Sequence, residues 1–304
     1  MNWLARLFSP RKPEAPPART QRAPAVAVAA PAAPAAQVAA DTPHFLPWLL
    51  GCAPLLPGPL APQEQRALTL LDKTLALPAL PDELLPRAAA LIPQLLSMLR
   101  QSDLPVPALA QRVAKDVVLT AEVLRLASSP YYRAQGAVTD LAQAIALIGV
   151  EGLQTVIARV VLKPIFESAP GPLSARAGTR LWDHAEALAA HTAGQAAGAG
   201  AAAFDGYLAG LLHGSGWTVA LRVLDRAALP LALPPTAAFA HACDERAHRL
   251  FSQAAQRWSI TPAFTAFGAD AREHPLARST DPLAAALRLA QGPTMAALAA
   301  AGRP

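Results

Sequence analysis

What this chain of 304 residues has little of narrows its class quickly. It has two cysteines, Cys52 and Cys243, far apart and without a CxxC pair. That usage fits a reducing compartment and excludes a disulfide framework or a cysteine-based zinc site. Aromatic residues make up 5% of the chain and β-branched residues are few, too sparse for a protein built from many strands. Charged residues are only 15%, and the net charge of +5 is uneven. Residues 1–43 carry Arg6, Arg11, Lys12, Arg19 and Arg22 against Glu14 and Asp41. The body is therefore close to neutral, which argues against a nucleic-acid binder. An arginine interrupts the short apolar N-terminus, so no secretory signal is read, and a cytoplasmic protein is expected. The apolar run Phe45 to Ala61 is broken by Pro47, Pro54, Pro57 and Pro59 and is shorter than the ~20 residues of a spanning helix, so no transmembrane segment is expected.

What is plentiful is alanine and leucine at helical spacing, and the expected fold is all-α. Hydrophobic residues are 53% of the chain, enough for a sizeable core. Residues 1–43 read as a disordered, basic, Ala/Pro-rich tether. Residues 1–12 could dock weakly on a membrane or partner through Trp3, Leu4, Leu7 and Phe8, or simply begin a disordered tail. Residues 44–82 form a helical extension in which Phe45, Trp48, Leu49 and Leu50 anchor to the body and Pro62 opens a helix. A periodic run from Leu84 to Leu99 follows, with a break expected at Pro93. Asp116, Asp140 and Asp281 are placed as helix N-caps. Pro170-Gly171-Pro172 divides the main body, 83–295, into lobes at 83–168 and 172–295. Helices are expected at Leu181–Ala197, Asp205–His213, Ser215–Ala228, Thr236–Trp258 and Leu283–Gln291.

Several blocks in order resemble a known family. Leu91-Ile92-Pro93-Gln94-Leu95-Leu96 comes first, then Lys115 to Ser129, KDVVLTAEVLRLASS, followed by Tyr131-Tyr132. Val138-Thr139-Asp140-Leu141 and Ala144 to Gly149 come next, then Leu181-Trp182-Asp183-His184, and Tyr207 to His213, YLAGLLH. Together they resemble the HDOD domain, the HD-related output domain of bacterial signalling proteins, over about residues 84–291. The resemblance implies a helical bundle in two packed lobes and a relation to HD phosphohydrolases. Those enzymes hold metal with a histidine, a His-Asp pair and a later aspartate, whose carboxylates suit hard divalent cations and a metal-bound water.

Mapped on this chain, the metal positions are His184 and His213, but Gly214 replaces the paired aspartate and Gln291 lies near the later one. Two neutral imidazoles without a carboxylate hold a metal weakly and do not activate water. Asp183 adjoins His184 but points about 100° away around a helix. The two positions are therefore expected to be vestigial, with no catalytic residue, no metal and no cofactor. The bland expectation is that His184 and His213 are buried and bonded to backbone or to each other. The sharper one is a ligand cleft at His184, His213 and Trp217. His191 shares the face of His184 and is expected partly exposed. His241 and His248, near Asp244 and Glu245, read as a solvated face rather than a metal site. Cys243 reads as a core residue and Cys52 as a thiol in the extension. Tyr131 and Tyr132 are candidates for partner contact or core. The function expected is a non-enzymatic signalling module acting through protein contacts. The resemblance implies partners such as histidine kinases, response regulators or cyclic-dinucleotide enzymes. The alternative is a degenerate HD-type domain that binds a nucleotide second messenger without hydrolysing it. No receiver or cyclic-dinucleotide enzyme signature accompanies the blocks, so action in trans is expected.

Overall fold

The computed structural model describes residues 45–85, 93, 97–99, 104–129, 132, 138, 140–167 and 171–301. The tail, most of the run from Leu84 to Leu99, and Tyr131 lie outside these residues. Among the described residues the structure is helical, and the only extended pairing is an isolated bridge between Leu56 and Thr236.

The extension begins with α1 (Phe45–Leu50) and α2 (Pro62–Leu75), followed by a short 3-10 turn at Asp82–Leu84. Then come α3 (Val106–Val113), α4 (Val117–Ala127), α5 (Leu141–Leu162) and the single turn α6 (Pro164–Glu167). They are followed by α7 (Pro172–Ala199), α8 (Ala203–His213), α9 (Ser215–Arg226), α10 (Ala237–Trp258), α11 (Pro262–Glu273) and α12 (Pro282–Ala300).

Local chemistry sets the ends of these helices. The carboxylates of Asp116 and Asp140 accept from Leu119 N and Gln143 N, and Asp281 accepts from Leu283 N. Each satisfies a donor that the first helical turn leaves without a partner. The helix expected at Leu181–Ala197 begins nine residues earlier, at Pro172. Asp225 caps it from another helix, accepting from Leu173 N at 2.9 Å and Ser174 N at 2.8 Å. A cap supplied by so distant a residue leaves no local sequence signal. The last helix likewise continues past Gln291 and through Pro293 to Ala300. Leu141–Phe166 is long and apolar enough to cross a membrane. However, Gly149 breaks its helical geometry with φ 70°, and half of its most apolar window is buried, as in a core helix.

The later helices are organised around α7, with α8 and α12 packed along it. The α7–α8 seam is close because α8 presents glycines. A Cβ on Gly210 would lie 2.6 Å from Ala189 Cα and 2.7 Å from Leu188 O; one on Gly206 would lie 2.9 Å from Thr192 O. Backbone therefore meets backbone, and this approach sets His213, at the end of α8, beside the middle of α7. Gly216 does the same for α9 on α10, where a Cβ would lie 1.9 Å from Ala247 O. Continuous apolar burial runs from Leu49 and Leu50 through Phe166 and Leu208 to Phe251, Phe264 and Phe267. Such a core is the main stabilising contribution.

Polar contacts also tie the early helices to the later ones. Buried Glu64 accepts from Thr236 N (2.7 Å), Thr236 Oγ1 (2.7 Å) and Ala61 N (2.8 Å). Arg246 makes a two-pronged contact with Asp72. Buried Arg222 donates to Leu84 O and Ile165 O, joining α9 to the 3-10 turn and to α6.

Candidate functional site

A cleft of about 350 Å3 brings together His184 from α7, His213 and Gly214 from the end of α8, Trp217 from α9 and Gln291 from α12. These are residues singled out from the sequence. The cleft also includes Phe45 and Leu46 from α1, Leu55, His241 and Asp244 from α10, and Met295. The extension thus supplies part of the wall. The Phe45 ring lies 4.5 Å from His184 and 5.5 Å from Trp217, centre to centre, and the Trp48 ring lies 6.1 Å from His184. The placement of the anchor over these positions has no sequence signal, because it depends on where α7 and α9 meet.

His213 is not bonded to His184. Its Nε2 lies 3.1 Å from His248 Nδ1, and His248 Nε2 lies 3.2 Å from the carbonyl oxygen of His274. A carbonyl can only accept, so His248 carries its proton on Nε2 and offers a lone pair at Nδ1. His213 must then donate from Nε2. This corrects the expectation that His248 lies on a solvated face: it is buried, 5% exposed. His241 and His248 are seven residues apart and nearly aligned. His241 sits exposed at the cleft, 3.6 Å from Glu245, while the same strip of α10 passes under the protein before reaching His248.

His184 is buried as well, and its Nδ1 has no hydrogen-bond partner among the described residues. Burial pushes its proton affinity down to a pKa of about 3. Burial, then the neighbouring His248 and His184, holds His213 well below the usual histidine range. Both imidazoles are neutral at physiological pH. His191 is half-buried and its Nδ1 lies 2.9 Å from Thr294 Oγ1. Asp244 is drawn upward, chiefly by partial burial and against a hydrogen bond from Trp217; solvent at the open side of the cleft tempers that effect. Asp183 lines two other hollows instead of this one, as its place on the helix requires.

The residues present do not fit a metal centre of the HD kind. The paired carboxylate is absent, Gln291 is neutral, and His213 Nε2 is engaged by His248. A Cβ on Gly214 would face Leu181 Cδ1 at 3.4 Å and Phe166 Cε1 at 3.5 Å, so a carboxylate there would start out against an apolar wall. Among the described residues no group of three or more His, Cys, Asp or Glu side chains is arranged to hold a metal ion. The other sequence candidates fall elsewhere. Tyr132 is buried in the core, where a Cβ on Gly152 would lie 3.7 Å from its hydroxyl. Cys243 is buried in the core and Cys52 is half-buried after α1.

The HDOD domain matches residues 85–267, more than half of the chain, and the chain belongs to the HDOD domain family. Two solved structures are similar to it. One is a protein from Shewanella amazonensis described as a "putative metal-dependent phosphohydrolase". It has 16% identity and a TM-score of 0.52, over 74% of this chain and 82% of that one. The other is an HDOD domain protein of unknown function from Geobacter sulfurreducens. It has 20% identity and a TM-score of 0.44, over 78% of this chain and 95% of that one. At these identities the first likeness supports the fold alone. No curated protein matches the chain.

Proposed function

We propose that this chain is a non-enzymatic regulatory module that acts through protein contacts in bacterial signal transduction. The observation that carries the non-enzymatic reading is the corner at His213 and Gly214. One imidazole nitrogen is committed to His248, and the position of the missing carboxylate faces Leu181 and Phe166. A hydrolase of this class needs negatively charged ligands there to hold its cations and lower the pKa of a bound water. Family membership supports the signalling role. Partners of the expected kind are histidine kinases, response regulators and cyclic-dinucleotide enzymes. A partner surface is also favoured by Val117 and Val118 at the start of α4. These adjacent apolar side chains are 82% and 61% exposed.

The alternative, a nucleotide second messenger held in the cleft, is disfavoured by charge. Among the described residues no lysine or arginine lines the cleft, and its two buried imidazoles are neutral. Polyphosphate recognition relies on such cations.

The test is affinity co-purification from the native cell, comparing the full chain with Val117→Asp/Val118→Asp and with a chain lacking residues 1–43. Enrichment of one signalling protein by the full chain, lost in one of the variants, supports the reading and locates the contact. Equal, non-specific recovery from all three contradicts it.

A further inference from the structure

The cleft also has a chemistry of its own, independent of any protein partner. The rings of Phe45 and Trp217 touch, with centres 5.5 Å apart and planes tilted by 56°, and both side chains line the cleft. Asp244 is exposed on the same lining. Gln291 adds a neutral amide. The buried ring of His184 also lines the cleft. The volume of about 350 Å3 falls within the roughly 300–1,000 Å3 of small-molecule sites.

The signs of the charges select the ligand. Among the described residues the lining offers one carboxylate, that of Asp244, and no lysine or arginine; its other titratable side chains are His184, His213 and His241. An anion would meet the Asp244 carboxylate. A cation would meet a carboxylate and two aromatic side chains, a combination that favours ammonium groups.

We propose that the cleft binds an organic ammonium ion, its charged head against Asp244 and its apolar body against the aromatic side chains of Phe45 and Trp217. Asp244 and Trp217 belong to the segment matched by the family, whereas Phe45, Leu46 and Leu55 precede it and Gln291 and Met295 follow it. The extension and the last helix therefore complete a site whose carboxylate comes from the family segment.

The test uses the full chain in calorimetric titrations at pH 7.5 with three probes of matched shape: phenethylammonium, phenethyl alcohol and phenylacetate. The amine should bind at least tenfold more tightly than the alcohol, and phenylacetate should not bind measurably. Asp244→Asn should weaken the amine at least tenfold and leave the alcohol unchanged, with an unaltered circular dichroism spectrum. Phe45→Ala should weaken both the amine and the alcohol. Three results would overturn the proposal: no binding by phenethylammonium or a set of shorter alkylammonium ions, equal binding of amine and alcohol, or amine affinity unaffected by Asp244→Asn. Failure on any of these leaves the co-purification result unaffected, so the two readings can fall separately.

Discussion

The α7–α8 seam and the cleft at its end are built from the same two helices but obey different rules. Along the seam, Gly206 and Gly210 let α8 approach α7 until backbone atoms touch, and no side chain can be added without moving a helix. One turn further on, Gly214 sits opposite Leu181 and Phe166 at ordinary packing distance, and His213 turns to His248. The seam fixes where the histidines stand; it does not fix what stands beside them. A scaffold can therefore hold two histidines in HD-like places while the carboxylates that would make them a metal centre are absent.

The contrast can be broken most forcefully at the close backbone contacts. Gly216→Ala places a methyl 1.9 Å from Ala247 O and Gly210→Ala places one 2.6 Å from Ala189 Cα, where only a helix shift gives relief. Chemical denaturation should show a loss of about 3 kcal/mol or more for each, the overpacking range and above. Gly214→Asp should cost roughly 2–4 kcal/mol, because it places a carboxylate against Leu181 and Phe166. It should not create metal binding. Stoichiometric manganese uptake by that variant would mean that the corner is a dormant metal site.

Much of the scaffold was legible in the sequence because it is written locally. Asp116, Asp140, Thr236 and Asp281 cap helices within three residues of themselves, and the apolar spacing between them has a helical period. The core of the candidate cleft was legible too: His184, His213, Gly214, Trp217 and Gln291 do meet. What was hidden depends on contacts between distant segments. Phe45 reaches the cleft only because α1 crosses α7, and Asp225 caps α7 from another helix. His241 and His248 occupy one helical strip, but periodicity cannot show that one end is open and the other covered. Asp244 was noticed as a neighbour of those histidines, yet its place beside Trp217 is a tertiary fact.

Smaller effects sharpen the comparison between the histidines themselves. His184, His213 and His248 all have proton affinities lowered by burial, so the unfolded chain binds more protons than the folded one below about pH 6.5. Their contribution to stability is complete above that pH. It declines as pH falls, by up to about 1.4 kcal/mol per pH unit for each, and for His184 continues toward pH 3. Denaturant midpoints measured between pH 8 and pH 5 should fall accordingly; a flat profile would remove the buried, neutral assignment. His248→Leu should cost about 1–3 kcal/mol because it strands the His213 donor, and adding His213→Leu should recover part of the loss. His184→Leu should be nearly neutral or slightly stabilising, since Nδ1 has no protein partner to lose.

The central claim is that the His184–His213 corner is a packed, metal-free feature of the scaffold. The most direct measurement is elemental analysis of the full chain, purified without chelators from cells grown with added manganese and iron, alongside its melting temperature with and without a chelator. The predicted result is far less than one metal ion per chain and no change in melting temperature. One tightly held ion per chain, with a loss of stability when it is removed, would contradict the account.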